Sequence, residues 1–423
     1  MKKIANADEA VRIAAGKSIE ASLQNTFAVG GVLVENRSQK VICALHNNVL
    51  EPFENRKLFL LHDPTAHGER QLVDWYFKHR KRLRLPSPSK LTIVTTLDPC
   101  AMCTGALLTA GFNVGVSATD TYAGINYNES FDFPSLPSKW KSAARSSFAY
   151  YGVGAPVNRA FQGSKGVVFA RQSISASTFY LTDTIFESSV NSVRLLDNNS
   201  GIDPSKLNNP KDLPRHSAIK RAFLAAFPEA FSVTCNKARI PGKEIARTLL
   251  ITARKAHERG AAFNSVAFLD PFGNLLLCLG GSEELSPIRT AFMEVTRTYA
   301  HIRWVVMNDR SPSVREKAGN VLTHPKYGTF VFLYAPDPNK PQGLMTMGAY
   351  GSTMEGPIPQ TYPPNLQYVL LPEGASQVAV SELAMNLPPF YTTSVQVAPT
   401  QVLDWGLIDE IRTLLPEYAR PLT

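Results

Sequence analysis

Two short segments restrict the fold and chemistry of this chain more than any other feature. They are His67-Gly68-Glu69 and Pro99-Cys100-Ala101-Met102-Cys103. The first cysteine, Cys100, follows His67 by 33 positions. One imidazole and two thiolates can fill three corners of a zinc tetrahedron and leave the fourth open for water. Zinc lowers the pKa of such a water toward neutrality, and a carboxylate two residues from the histidine is placed to carry protons. The segments therefore predict one catalytic Zn²⁺ held by His67, Cys100 and Cys103, with Glu69 as the catalytic residue.

Two other interpretations of the cysteine pair are a redox dithiol and half of a structural zinc site. The pair follows the strand-like segment 91–97 and opens the helix-like segment 101–110, a position that suits thiolates. A redox dithiol would need neither His67 nor Glu69. A structural site would want a fourth protein ligand, whereas Cys43, Cys235 and Cys278 lie elsewhere in the chain. The sequence therefore favours a catalytic metal.

Length and composition predict a soluble protein of two domains. The chain has 423 residues, of which 44% are hydrophobic and 19% are charged, and this length exceeds one ordinary core. The N-terminus begins like a signal peptide, but Asp8, Glu9 and Arg12 interrupt the apolar region that such a peptide needs. The chain contains no run of 18 apolar residues, so the sequence predicts no membrane span. The paired cysteines are assigned to zinc rather than to a disulfide, and this favours the reducing cytoplasm as the location of the protein.

The net charge of +9 is concentrated in the half that carries the zinc motif. Residues 1–180 hold 21 Lys and Arg against 13 Asp and Glu, whereas residues 181–423 hold 23 against 22. The excess centres on a basic run after the motif helix, which consists of Lys78, Arg80, Lys81, Arg82 and Arg84. The basic run could contact nucleic-acid phosphates. Alternatively, its cations complement the dipole at a helix C-terminus.

The order of predicted elements indicates an α/β fold. Apolar periodicity predicts a helix over 7–21, two strands over 27–34 and 41–45, and a variable loop over 48–62. The motif helix over 66–82, the strand over 91–97, the cysteine helix and a strand over 114–118 follow. This alternation predicts a mixed central sheet with helices on its faces, and the zinc ligands would come from the N-termini of two neighbouring helices.

Residues 1 to about 180 resemble the cytidine deaminase superfamily, and they are most similar to its tRNA adenosine deaminase and guanine deaminase branch. That branch typically reads D-P-T-A-H-A-E and T-x-E-P-C-x-M-C, and this chain has matching segments at 63–69 and 96–103, with departures at Gly68 and Asp98. The resemblance implies a three-layer α/β/α sandwich and a zinc-dependent hydrolase that deaminates a nucleobase. It also implies base contacts from Ala66 and Pro99 and from an asparagine after the second strand, for which Asn47 fits; a turn asparagine is the alternative.

A similar arrangement recurs from about residue 215, which predicts a tandem duplication. The segment 287–292 aligns on 64–69 and replaces the zinc histidine by Thr290 and the glutamate by Phe292. The segment 337–342 aligns on 98–103 and replaces the cysteines by Asn339 and Gln342. This half should therefore hold no zinc and be catalytically silent. The alternative is an unrelated α/β domain with accidental matches.

The predicted organisation is a catalytic domain over 1–180, a helix and linker over 181–214, and a degenerate deaminase-like domain over 215–423. A catalytic domain beside a silent one resembles the two-subunit eukaryotic tRNA adenosine deaminase, which implies intramolecular pairing that completes a substrate groove or replaces a partner protomer. A homodimer is also compatible with the sequence.

Three functions remain open. Charge asymmetry favours deamination of adenine, or cytosine, within RNA such as tRNA. The segment 120–133 is loosely similar to the closing segment of guanine deaminases and favours a small molecule, either guanine, a pterin, or a cytosine nucleoside or nucleotide. A non-catalytic nucleic-acid-binding protein with structural zinc is the third, because fold alone does not identify function.

Overall fold

The computed structural model describes residues 2–53, 58–154, 159–161, 166–194, 203–354 and 358–419. The helices in these ranges are α1 (Ala7–Leu23), α2 (Gly68–Leu83), α3 (Ala101–Ala110), α4 (Ser138–Ser147), α5 (Ala176–Arg194), α6 (Ala218–Ala226), α7 (Ala246–Glu258), α8 (Ala291–Met307), α9 (Pro312–Val321), α10 (Pro341–Met354), α11 (Gln377–Met385) and α12 (Trp405–Tyr418). The strands are β1 (Gly30–Glu35), β2 (Lys40–His46), β3 (Leu50–Phe53), β4 (Leu58–Leu61), β5 (Leu91–Leu97), β6 (Asn113–Ala118), β7 (Phe148–Val153), β8 (Arg159–Phe161), β9 (Ser173–Ile174), β10 (Ser265–Leu269), β11 (Leu275–Gly280), β12 (Thr329–Tyr334), β13 (Leu366–Leu370) and β14 (Thr400–Gln401).

The strands form two large mixed sheets with the same internal order. In the N-terminal sheet, β1 pairs antiparallel with β2 and β5, after which β5, β6 and β7 run parallel. In the C-terminal sheet, β10 pairs antiparallel with β11 and β12, after which β12, β13 and β14 run parallel. Strand β8 extends the first sheet beyond β7, and the short β9 also pairs with β7. The predicted mixed α/β architecture is confirmed, and the C-terminal unit repeats the strand order of the N-terminal one.

The helices of the N-terminal unit cover both faces of its sheet, as the alternating side chains of the strands show. Leu33 and Ile93 belong to a core that includes side chains of α2 and α3. Val32 and Val94 belong to a separate core that includes side chains of α1, with Phe179 of α5. Because successive strand side chains point to opposite faces, the sheet lies between these two helix layers. The three-layer arrangement thus brings the N-termini of α2 and α3 together on one face.

The two units meet through α3 and α10, which cross at two glycines. A Cβ added to Gly105 of α3 would lie 2.5 Å from the Met345 nitrogen, and one added to Gly348 of α10 would lie 2.2 Å from the Met102 nitrogen. No real Cβ approaches backbone so closely, so these glycines permit the backbones to touch. Helix α3 is apolar on all sides and almost wholly buried, which is typical of a helix packed from both sides.

The glycine crossing gives a stability prediction with a built-in control. We expect Gly348→Ala to lower the free energy of unfolding by about 1–3 kcal/mol, which is the usual cost of overpacking a rigid contact. Gly16→Ala in α1 is the matched control, since a Cβ there meets nothing within 4 Å and alanine gains about 0.5–1 kcal/mol over glycine inside a helix. Urea unfolding of both variants measures the difference. Equal effects of the two substitutions would contradict the close contact.

One prediction about the organisation of the chain needs correction. The variable loop over 48–62 contains the antiparallel hairpin of β3 and β4. Helix α5 packs against α1, β5 and β6, and the domain boundary at residue 180 stays a prediction. The predicted linker lies partly outside the described residues, and its described part, 203–214, contains two 3₁₀ turns. No helix in the described ranges is both long enough and apolar enough to cross a membrane.

Candidate metal and active site

The three predicted metal ligands converge at the N-termini of α2 and α3. His67 is the N-cap residue of α2, Cys100 is the N-cap residue of α3, and Cys103 lies in the first turn of α3. Their candidate ligand atoms all lie within 4.8 Å of one another, and 3.5 Å separates His67 Nδ1 from Cys100 Sγ. Among the residues described, this is the one group of three such side chains found. One nitrogen and two sulfur donors at this spacing fit a zinc ion with an open position.

The local electrostatics favour a metal-binding thiolate at Cys100. A hydrogen bond from Cys103, together with the neighbouring imidazole of His67, holds the pKa of the Cys100 thiol well below its ordinary value despite burial. Burial and the adjacent Cys100 raise the pKa of Cys103. One thiol of the pair is therefore ready to ionise, and ionisation of the second is left to the metal, because a coordinating thiol is deprotonated outright.

Glu69 lies in the first turn of α2, beside the ligands. Its side chain is 3% exposed. Oε1 accepts a hydrogen bond of 3.0 Å from Thr95 Oγ1, and Oε2 accepts one of 3.4 Å from Cys103 Sγ. Burial and the nearby Cys100 raise the pKa of Glu69. A fixed carboxyl that can hold a proton beside a metal site is the arrangement that a proton carrier needs.

The predicted base-contacting residues hold the motif together in this structure. Asn47 Oδ1 accepts a hydrogen bond of 2.7 Å from the Gly68 nitrogen. The Ala66 carbonyl accepts bonds from Asn48 N and Gln71 Nε2, and the Pro99 carbonyl accepts bonds from Ile125 N and Thr104 Oγ1. Each of these oxygens already has an internal donor, so contacts of Asn47, Ala66 and Pro99 with a base stay a prediction.

The segment between β6 and α4 is fastened directly onto the cysteine motif. Asp98 Oδ2 accepts a bond of 2.8 Å from the Asn126 nitrogen, and the Asp98 carboxylate also accepts from Tyr150 Oη. Gly124 pairs with Cys100 as an isolated β-bridge. A Cβ on Gly124 would lie 2.3 Å from Asp98 Oδ2, so this close approach requires glycine. The aspartate at position 98 therefore anchors the segment that borders the site.

The C-terminal unit also contacts the segment that borders the metal site. The residues that make this contact are not predicted from the sequence. The Phe390 nitrogen donates a bond of 2.8 Å to the Tyr122 carbonyl. Phe390 lies 268 positions after Tyr122 and begins a π-helical turn, Phe390–Ser394. One feature of the sequence indicated that another part of the chain packs on α3: this helix has no polar face.

The corresponding position of the C-terminal unit is filled by aromatic rings. Thr290 is the N-cap of α8, as His67 is of α2. Phe292, which aligns with Glu69, packs against Phe330 and Phe332 with ring centroids 5.1 and 5.4 Å away. Asn339 is exposed, and its carbonyl accepts a bond from Trp140 Nε1. Side chains at these positions are poor zinc ligands, so the expectation that this unit binds no zinc stays a prediction.

The basic run lies at the far end of α2 from the ligands. With a rise of 1.5 Å per residue, Lys78 is about 16 Å and Arg84 about 25 Å along the helix from His67. Lys78, Lys81, Arg82 and Arg84 are exposed, and Arg80 lies 4.7 Å over the Phe77 ring. A bound base could not touch these cations, whereas the backbone of a polymer could.

A partly buried ion network links the zinc motif to the C-terminal unit. Asp63 Oδ2 lies 3.0 Å from Arg297 Nε of α8 and 3.7 Å from Arg70. Asp74 pairs with both arginines, at 2.9 Å from Arg70 and 3.7 Å from Arg297. Although partial burial of Asp63 opposes its ionisation, these cations hold the pKa of its carboxyl below its usual value.

Removal of Arg297 should therefore weaken the fold and change its acid sensitivity. We expect Arg297→Met to lower the free energy of unfolding by about 2 kcal/mol at pH 7, less than for a fully buried pair because Arg70 remains. A carboxyl with a depressed folded pKa stabilises above about pH 4, and this stabilisation is lost as pH falls through the folded pKa. The variant should thus lose less stability between pH 6 and pH 3 than the wild type. Urea unfolding at both pH values tests this. Arg254→Met, which breaks an exposed pair with Glu258, should change stability by less than about 0.5 kcal/mol.

Comparisons with known proteins agree with the geometry. Residues 5–118 match the family described as the cytidine and deoxycytidylate deaminase zinc-binding region. No curated protein is significantly similar in sequence to the chain. Among solved structures, one from a study of A-to-I editing by tRNA:A34 deaminases is 24% identical over 28% of this chain and 80% of its own, with a TM-score of 0.22.

A guanine deaminase from Nitrosomonas europaea is 14% identical over 44% of this chain and 87% of its own, with a TM-score of 0.28. Both likenesses are too low to carry an argument. What the comparisons show is that residues 5–118 match the zinc-binding region of the cytidine and deoxycytidylate deaminases.

Proposed function

We propose that this protein is a zinc-dependent hydrolytic deaminase of a nucleobase, and that its substrate is adenine, or cytosine, within an RNA such as tRNA. The observation that carries the first part is the convergence of His67, Cys100 and Cys103 within 4.8 Å beside the buried Glu69 carboxyl. A purely structural zinc would give no reason to bury a carboxylate against its ligands, since burial of an ionisable group is costly.

The proposed reaction replaces a ring amino group by a carbonyl. Zinc held by the three ligands would supply water with a pKa near neutrality. Glu69 takes a proton from the water that attacks the amino-bearing ring carbon, and it passes this proton to the adjacent ring nitrogen. Glu69 then carries the second proton of the water to the amino group. The carbon–nitrogen bond breaks, ammonia leaves, and the carbonyl forms. Thr95, which donates to Glu69 Oε1, holds the carboxyl in place throughout.

The test is ammonia release from zinc-loaded protein offered free bases, nucleosides, nucleotides, single-stranded DNA and total tRNA. Release from tRNA alone supports an editing enzyme. Release from a monomer supports a metabolic deaminase of guanine, a pterin, or a cytosine nucleoside or nucleotide. That second function is favoured by one observation: the segment fastened to Asp98 and Cys100 through Asn126 and Gly124 borders the site closely, as a small substrate would allow. Absence of release from every substrate would contradict both.

The basic run distinguishes a polymer from a monomer. If its cations contact RNA phosphates, log affinity for tRNA should fall with log salt by about 0.7–0.9 per contact, and replacing the five cations by glutamine should flatten that slope. The KM for tRNA should rise at least about tenfold, while the rate on any free nucleoside stays unchanged. The matched control replaces five exposed cations of the linker and the C-terminal unit, which are Lys206, Lys237, Lys243, Arg247 and Lys255. A flat salt response in the wild type would exclude RNA as the substrate.

A further inference from the structure

The C-terminal unit contacts the stretch of chain that joins two predicted residues of the site, Asn47 and His67. We call this stretch the connecting segment; its described residues are 48–53 and 58–66. Its two ends lie side by side, because the Asn48 nitrogen donates a bond of 2.8 Å to the Ala66 carbonyl. A contact that holds the connecting segment therefore acts close to the metal ligands.

One face of α8 packs on the connecting segment. The α8 residues of this face follow one another at helical spacings of three and four, and they are Arg297, Ala300, His301 and Trp304. His301 Nδ1 lies 3.1 Å from His62 Nε2, and the Trp304 ring meets the His62 ring edge to face with centroids 5.1 Å apart. Ala300 shares an apolar cluster with three residues of the connecting segment, which are Val49, Leu50 and Leu61.

Arg297 makes the polar contact of this face that lies nearest the zinc motif. Its Nε donates a hydrogen bond of 3.0 Å to Asp63 Oδ2. The other carboxylate oxygen, Asp63 Oδ1, accepts bonds of 2.9 Å from the Thr65 nitrogen and 2.6 Å from Thr65 Oγ1. A side chain that bonds the backbone two residues on closes a turn. Asp63 thus holds the C-terminal unit with one oxygen and a turn of the motif with the other.

This turn leads directly to the metal-binding histidine. The Asp63 carbonyl accepts a bond of 3.1 Å from the Ala66 nitrogen, and the Thr65 carbonyl accepts one of 2.9 Å from the His67 nitrogen. Thr65 is fully buried, so the turn has little room to move. A continuous series of hydrogen bonds therefore runs from Arg297 through Asp63 and Thr65 to the backbone of His67.

Arg70 does not duplicate the contact that Arg297 makes. Its Nη2 lies 3.7 Å from Asp63 Oδ2, against 3.0 Å for Arg297 Nε. Its Nε donates to the Thr65 carbonyl, and its Nη1 donates a bond of 2.9 Å to Asp74 Oδ2. Because Arg70 is engaged inside the N-terminal unit, the hydrogen bond to Asp63 Oδ2 comes from the C-terminal unit.

We propose that Arg297 is a positioning residue of the deaminase site, which holds the Asp63 carboxylate from the C-terminal unit and thereby fixes the turn that places His67. Outer partners of metal ligands orient them, and their loss typically costs about 10–100-fold in metal affinity or activity. The C-terminal unit thus contributes to the metal site without supplying a ligand. This inference rests on the proposed function only for its effect on turnover.

The experiment measures the zinc affinity of Arg297→Met in the full chain, by competition with a chelating dye under conditions in which circular dichroism shows the variant folded. We expect the Kd for zinc to rise about tenfold, the lower end of the usual range because a turn lies between Arg297 and His67. The removal of a positive charge by itself would favour binding of a cation. A loss of affinity therefore has the opposite sign to the direct electrostatic effect. On the zinc form, kcat should fall by a similar factor.

The matched control is Arg289→Met, which removes another arginine next to the start of α8. Arg289 and Arg297 have the same side-chain exposure, 30%, but Arg289 pairs with Glu294 of the C-terminal unit itself. Arg289→Met should weaken the fold and leave the Kd for zinc and kcat at the wild-type values. An equal loss of zinc affinity in the two variants would show that general weakening of α8, and not the bond to Asp63, is responsible, and would overturn the inference.

A double-mutant cycle tests whether the effect passes through Asp63. Asp63→Asn keeps an oxygen that can accept from Thr65 but loses the charge that faces Arg297. The variant with both substitutions should bind zinc no more weakly than the weaker of the two single variants, because residues that act through one contact are not additive. Additive losses, or an unchanged Kd in Arg297→Met, overturn the inference. A raised Kd in a protein that deaminates nothing leaves the inference standing and the proposed function wrong, whereas a wild type that binds no zinc overturns both.

Discussion

Glu69→Gln should reduce ammonia release about 10²- to 10⁴-fold, the usual contribution of a positioned proton carrier, while the protein keeps its zinc. Glutamine has the shape of glutamate and can still accept a hydrogen bond from Thr95 Oγ1, which lies 3.0 Å from Glu69 Oε1. It cannot take a proton from water or return one to a leaving amine. Turnover should therefore fall with little change in KM, because the carboxylate acts in the transition state rather than in binding.

The measurement combines ammonia release with metal analysis of the same samples. Zinc content near that of the wild type shows that the three ligands are intact, so the loss is chemical. Glu258→Gln, on the exposed surface of α7, is the matched control and should leave turnover unchanged. A Glu69→Gln variant with full activity would show that another group carries the proton, whereas a zinc-free variant would show that Glu69 acts on the ligands.

The convergence of His67, Cys100 and Cys103 was predictable from sequence because local geometry determines it. His67 and Cys100 are N-cap residues of α2 and α3, and a helix start follows from the strand or turn before it and the apolar periodicity after it. Strand β5 coincides with the predicted segment 91–97, because its continuous apolar and β-branched residues suit a strand buried on both faces. Short-range patterns of this kind carry both the elements and the ligand spacing.

The approach of the Phe390–Ser394 turn to Tyr122 could not be predicted, because it depends on how two units dock. No local pattern relates a π-helical turn to a tyrosine 268 positions earlier. The docking itself had a partial signal: α3 lacks a polar face, and α10 carries glycines among apolar residues. Such helices must be covered on all sides, but the pattern does not name the element that covers them.

The proline-rich segment 356–372 shows how composition can mislead. It predicts an extended surface loop, yet Leu366–Leu370 forms β13, paired with both β12 and β14 inside the C-terminal sheet. The prolines fall before and after the strand and none falls within it, so no ladder hydrogen bond is lost. Residues 355–357 lie outside the described part. The positions of the prolines, and not their number, determine whether this segment can contain a strand.

The number of zinc ions bound per chain should show which of the two units holds the metal. We expect one zinc per wild-type chain, none in Cys103→Ala, and one in Gln342→Ala, which changes the aligned position of the C-terminal unit. Cys103 is 1% exposed and lies within 4.8 Å of the other ligands, so its loss leaves two ligands, too few to hold the ion firmly. Ammonia release by Cys103→Ala should fall to background.

Stability gives a second, independent result. A ligand that binds only the folded state stabilises it by RT ln(1 + [L]/Kd), about 4 kcal/mol at a thousandfold excess over Kd. Adding zinc to metal-free wild type, or to metal-free Gln342→Ala, should therefore raise the unfolding temperature, and adding it to Cys103→Ala should not. Two zinc ions per wild-type chain would contradict the aromatic filling around Phe292. If Gln342→Ala lost its zinc, the pairing of the units, rather than the three ligands alone, would hold the metal.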